Sequence, residues 1–175
     1  MAHKIEDDRR HIEATTIQEI SNYADGSIHI AGILIANLML LNGGALFVFP
    51  AYIGAKSDAA IMPTSLIANS ATAFVIGIVF SAMCGYFAYL NYQFNASSRI
   101  VASHKRIIEL QQEGDLTTKH RRAEWYADTI VKLTKNETKW DSYVSYTFWL
   151  GQVTGILSLI TFVIGCYLAR VAMLP

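Results

Sequence analysis

Three stretches of the chain, Ile28 to Ala55, Leu66 to Asn91 and Val144 to Ala169, run for 28, 26 and 26 residues without a Lys, Arg, Asp or Glu. A helix rises about 1.5 Å per residue and the hydrocarbon core of a bilayer is about 30 Å thick, so roughly 20 apolar residues cross it. Each stretch exceeds that length. A soluble core helix keeps a polar stripe, whereas Ile33-Leu34-Ile35-Ala36 and Ile156 to Ile164 are apolar almost all round. The pattern predicts an all-α polytopic membrane protein with transmembrane helices over 28–55, 66–91 and 144–169.

The segments between the spans carry their own periodicity. Residues 1–27 are polar, include Glu6-Asp7-Asp8-Arg9-Arg10, and lack the apolar segment of a cleavable signal peptide. They read as an amphipathic cytoplasmic helix with Ile5, Ile12, Ile20 and Tyr23 on a partial apolar face. That helix is expected to end at Asp25-Gly26, with Ser27 capping the next one. From Leu66 to Gln112 there is no Pro and only two Gly. Span two is therefore expected to continue as one long helix, with Ile100, Val101, His104, Ile107, Ile108 and Gln111 on a common face. Gly114-Asp115 breaks it, and Thr117 or Thr118 caps the next helix. Ala123, Tyr126, Ile130, Leu133, Glu137, Trp140 and Val144 then recur at alternating spacings of three and four, a heptad seam that runs into span three. Residues 92–143 are thus read as a cytoplasmic helical hairpin extending spans two and three, with Ile100, Ile107, Tyr126, Ile130, Leu133 and Trp140 at its seam. Glu137 interrupts the apolar pattern and is expected to point into water rather than toward a basic residue of the other hairpin helix. The outer loop, 56–65, turns at Pro63 into a cap at Thr64-Ser65, and residues 170–175 form the outer C-terminus. No repeat of 20 to 50 residues is present, which predicts one compact unit.

Charge supplies the direction. Lys and Arg number three in residues 1–27, one in the first loop, nine in residues 92–143 and one after the third span. Positively charged flanks stay cytoplasmic, so the N-terminus is expected inside and the C-terminus outside. The formal net charge of the chain is zero, but residues 1–27 contribute −3 and residues 92–143 contribute +2. These two segments lie on the same side and attract, so the N-terminal helix is expected to pack on the hairpin. Tyr86, Phe87, Tyr89, Tyr92 and Phe94, with Trp140, Tyr143, Tyr146 and Trp149, read as an interfacial aromatic belt. Charged residues are 16% of the chain and apolar ones 53%, a composition that excludes a nucleic-acid binder driven by bulk positive charge, a disordered chain and a disulfide-stapled domain.

Candidate chemistry inside the spans is uncharged. Asn37, Asn42, Asn69, Ser70, Thr72, Ser81, Gln152, Thr154, Ser158 and Thr161 are expected to form interhelical hydrogen bonds, each worth about 0.6 to 2 kcal/mol. Gly32 with Ala36, Ser81 with Gly85, and Gly151 with Gly155 are small residues four apart, the spacing that lets helix backbones approach. Asn42-Gly43-Gly44, followed by Pro50, reads as a kinked segment packed tightly on another helix. The residues expected to pack the helices or line a pore are therefore Asn37, Asn42, Gly43, Gly44, Pro50, Asn69, Ser81, Gly85, Gly151, Gln152 and Gly155. Cys84 and Cys166 lie too far apart in depth for a disulfide within one chain. His3, His11, His104 and His120 lack the spacing of a zinc site. No catalytic motif, metal site or cofactor site is read from the sequence.

Leu41-Asn42-Gly43-Gly44-Ala45, opening an apolar run, resembles a segment of small uncharacterised bacterial inner-membrane proteins. Membrane helices joined to a cytoplasmic helical extension are also similar in plan to the SLATT-type membrane effectors, a resemblance that implies perforation of the membrane. Together these features lead to the expectation of a non-enzymatic integral membrane protein acting through helix association. Its expected partners are membrane lipid and further copies of itself, forming or gating a pore, and not nucleic acid. An accessory subunit docked on another membrane protein, within a larger enzyme or transporter complex, is the alternative.

Overall fold

The computed structural model describes the backbone of residues 2–55, 64–115 and 120–172, and within it the side chains of residues 7–22, 25–26, 28–48, 51, 65–113 and 122–172. These residues form three α-helices: α1 (Ala2–Ala55), α2 (Thr64–Asp115) and α3 (His120–Ala172). They contain 54, 52 and 53 residues, more than twice the roughly 20 that a bilayer requires. Each includes a segment long and apolar enough to cross a membrane. The outer loop with Lys56 and Pro63, and the turn with Thr117 and Thr118, lie outside the described residues.

The expected break at Asp25-Gly26 does not occur, because α1 passes through Asp25, Gly26 and Ser27 without interruption. A glycine in a helix interior costs about 1 kcal/mol relative to alanine, and helix on both sides supplies the i→i−4 partners that outweigh it. The helix likewise continues through Gly43-Gly44 and Pro50 to Ala55. In α2 the long stretch free of proline does form one helix, which ends at Asp115 beside Gly114.

The chain divides into two compact units rather than the single one expected. Unit 1 comprises Met1–Ile28 with Tyr89–Thr147, and unit 2 comprises His29–Ala88 with Phe148–Pro175. Their boundaries lie within four residues of those drawn from the charge pattern between the spans and the flanking segments. All three helices contribute to each unit.

Unit 2 is apolar on its outside. Ile33, Leu34, Leu40, Phe47, Val48, Val75, Ile76, Val79, Ile156, Leu159, Ile160, Val163, Ile164 and Tyr167 are exposed, while Asn42, Ser70, Ser81, Thr154 and Ser158 are buried. Water would drive the reverse arrangement. In unit 1, Tyr126 of α3 is buried, and Ile130, Leu133, Glu137, Trp140 and Val144 are half-buried on the same stripe. On α2 the packed stripe is Asn91, Asn95, Ser98, Ala102 and Lys105. Of the expected face of α2, Val101, Ile107, Ile108 and Gln111 are half-buried, whereas Ile100 is 46% exposed and His104 is exposed. A search for apolar repeats passes over a stripe whose residues are amides, hydroxyls and a lysine.

Candidate functional site

The candidate site is a set of polar and small residues that the three helices hold between them within unit 2. On α2, Ser70, Phe74, Gly77, Ser81 and Cys84 recur at spacings of four and three, and all are buried. Alternation of four and three residues keeps one stripe in line along a helix. The α3 residues Thr154, Ser158, Gly165, Ala169 and Ala172 are buried in the same unit, as are Leu38 and Asn42 of α1.

Hydrogen bonds join these stripes at two levels. The Asn42 amide nitrogen donates to the Leu38 carbonyl at 3.0 Å and to Ser158 Oγ at 3.1 Å. Ser158 Oγ donates to the Gly77 carbonyl at 2.9 Å. Ser81 Oγ donates to the same carbonyl at 2.8 Å and lies 2.8 Å from Ser158 Oγ. One residue from each helix thus meets around the bare backbone of buried Gly77. Asn42 Oδ1 rests against Gly77, where a Cβ atom would lie 2.0 Å away, and is buried with no hydrogen-bond partner among the described residues. At the second level Ser70 Oγ donates to the Gly165 carbonyl at 2.8 Å. The Phe74 ring covers the bare Cα of Gly165 and packs on Phe162 with ring centroids 6.0 Å apart.

Small residues mark further close approaches. Gly85 faces Ile35, Gly151 faces Phe87 and Gly155 faces Cys84. Gly43 and Gly44 have open space beside them, as does the exposed Gly32, so the contact expected at the glycine pair belongs to Asn42. The Pro50 side chain lies outside the described set. Asn37, Asn69 and Gln152 are exposed rather than set between helices. Thr72 and Thr161 donate to carbonyls of their own helices, at Ala68 and Leu157, whereas Thr154 bonds the Leu150 carbonyl of its own helix and also the Cys84 side chain of α2. Cys84 and Cys166 are both free.

Unit 1 carries a second polar set. Asn91 donates to the Val144 carbonyl at 2.6 Å and to Thr147 Oγ1 at 3.1 Å. Ser98 Oγ lies 2.6 Å from Asp141 Oδ1 and donates to it. Lys105 Nζ is 3.1 Å from Glu137 Oε2, both side chains half-buried. Glu137 therefore meets a base of the other hairpin helix instead of water, because Lys105 stands opposite it on α2. Phe94 packs on Trp140 and Tyr143, with ring centroids 5.7 and 5.4 Å apart, so these three rings form an interhelical cluster. The N-terminal part of α1 docks here, with Arg99 3.2 Å from Glu19 and with Ile20, Tyr92, Asn95, Ala96 and Arg99 lining one small cavity.

Sequence reasoning passed over Gly77, Gly165, Asn91 and Ser98. The signal for the first was present, since Gly77, Ser81 and Gly85 are small residues at successive intervals of four. No family model, curated protein or solved structure matches the chain.

Proposed function

We propose that this chain is a non-enzymatic integral membrane protein that crosses the bilayer three times and works as a homo-oligomer, forming or gating a pore between its copies. The observation that carries this reading is the inverted polarity of unit 2, with Asn42, Ser81 and Ser158 wholly buried and the large apolar side chains outside. Lipid tails solvate leucine as well as another leucine does, so apolar residues gain little by turning inward. Amides and hydroxyls gain a partner only within the protein. The same packing leaves Asn42 no route to line a channel through one copy, so a lumen is built between copies.

The excess of Lys and Arg in residues 92–143 supports an orientation with unit 1 in the cytoplasm and the C-terminus outside. The similarity in plan to SLATT-type effectors points to the same use, a cytoplasmic helical element that controls a membrane-spanning one. The test is the mass of the detergent-purified protein, together with release of a trapped dye from liposomes. A uniform oligomer that releases dye supports the proposal. A monomer that co-purifies with another membrane protein overturns it, and an oligomer that leaks under no trigger overturns the pore.

A further inference from the structure

The outward face of α1 carries a stripe that the chain itself leaves uncovered. Ile30, Ile33, Asn37, Leu40, Gly44 and Phe47 follow one another at spacings of three, four, three, four and three, the interval of the stripes by which α2 and α3 pair in this structure. Ile30, Ile33, Leu40 and Phe47 are 70, 51, 73 and 79% exposed, and Gly44 has open space where a Cβ would be.

Asn37 stands at the middle of this stripe and of the apolar segment Ile28–Val48. Its side chain is exposed, and among the described residues no hydrogen bond engages it. A carboxamide at that depth, facing hydrocarbon, forgoes its hydrogen bonds at a cost of several kcal/mol. The occupant that satisfies it must carry donor and acceptor at mid-depth and no charge, because Ile28–Val48 offers none to pair with.

From these features we infer that this stripe is the interface with a second copy of the chain, in which two α1 helices run parallel and their Asn37 amides hydrogen-bond to each other. Copies inserted in one orientation are related by an axis along the bilayer normal, so residue 37 meets residue 37. An amide both donates and accepts, which makes the pair self-complementary. A single asparagine in an otherwise apolar heptad seam favours one register and two strands. Gly44 lets the backbones approach on the same side.

The inference rests on the homo-oligomer reading above, and the experiment separates the two. In a background of Cys84→Ala and Cys166→Ala, Leu40→Cys is oxidised in membranes, with Ile160→Cys on the exposed face of α3 as control. Cross-linked dimer from Leu40→Cys but not from Ile160→Cys is expected. In detergent, Asn37→Val raises the dissociation constant about tenfold, the factor equivalent to about 1.4 kcal/mol, and Asn37→Gln stays near the wild type. If the wild type is oligomeric but Leu40→Cys fails to cross-link or Asn37→Val associates normally, the α1 interface is wrong and self-association stands. If the wild type is a monomer at every concentration, both fall.

Discussion

Gly77→Ala tests the meeting point of the three helices most directly. In an exposed helix the change would stabilise by about 1 kcal/mol, since alanine is the better helix former. Here the new Cβ would lie 2.0 Å from Asn42 Oδ1, 2.5 Å from its Cγ and 2.9 Å from its Nδ2. The Asn42 side chain is wholly buried, so it has no open space to enter. It must leave its place by more than an ångström, and its 3.1 Å bond to Ser158 breaks. Overpacking costs about 1 to 3 kcal/mol and the lost interhelical bond about 0.6 to 2 kcal/mol. After the gain in helix propensity, a net loss of about 2 kcal/mol is expected. Asn42→Ala removes the three clashing atoms and alone costs about 1 kcal/mol through the bond it loses. In the double variant the two methyl groups share the vacated space, so it is no less stable than Asn42→Ala alone. The coupling energy is then about 2 kcal/mol in favour of the pair, well above the 0.3 to 0.5 kcal/mol scatter of independent sites. Unfolding from mixed micelles by SDS, followed by tryptophan fluorescence, gives all four stabilities. Additive single substitutions would refute the placement of Asn42 on Gly77.

Gly165→Ala meets the Phe74 ring, whose nearest atoms would lie 2.5 to 2.9 Å from the added Cβ, and is expected to lower the same unfolding midpoint, with Phe74→Leu restoring part of the loss. No loss in Gly165→Ala would contradict the contact. In unit 1, Lys105→Met or Glu137→Leu alone leaves a half-buried charge without its partner and is expected to cost about 1 kcal/mol in thermal unfolding, while the double replacement is near neutral. Equal losses in all three variants would show that the pair is not the reason. The Arg99 and Glu19 side chains are about half exposed, so 0.5 M salt screens their attraction. Hydrogen exchange of residues 7–22 should rise no more than a few-fold on adding salt, and Glu19→Lys should raise it without salt. Exchange insensitive to both would mean that apolar contacts around Ile20 alone hold the helix.

The long apolar runs made the three helices legible, because their length and uniform hydropathy admit no other element at that scale. The seam of α3 from Tyr126 to Trp140 was legible as well, since its inward residues there are mostly apolar. The seam of α2 was legible only in part. Its inward residues include Asn91, Ser98 and Lys105, and their role depends on Thr147, Asp141 and Glu137, which lie 32 to 56 residues away in the chain. Glu137 was misplaced for the same reason, as its partner is visible only once the two helices are in register. Asn42 was singled out from its neighbours Gly43 and Gly44, yet the glycine it packs on is Gly77, on another helix.

The sequence by itself determined the helical class, the number of apolar spans and the division of charge between them, since these follow from side-chain transfer energies and helix rise summed over local segments. Only the tertiary structure decided which face of each helix turns inward. Where the surroundings are apolar, hydrophobicity no longer distinguishes the outside from the core. The choice then falls to hydrogen-bond partners and backbone clearance, such as Ser158 for Asn42 and bare Gly77 beneath it, and these depend on helices that are distant in the chain.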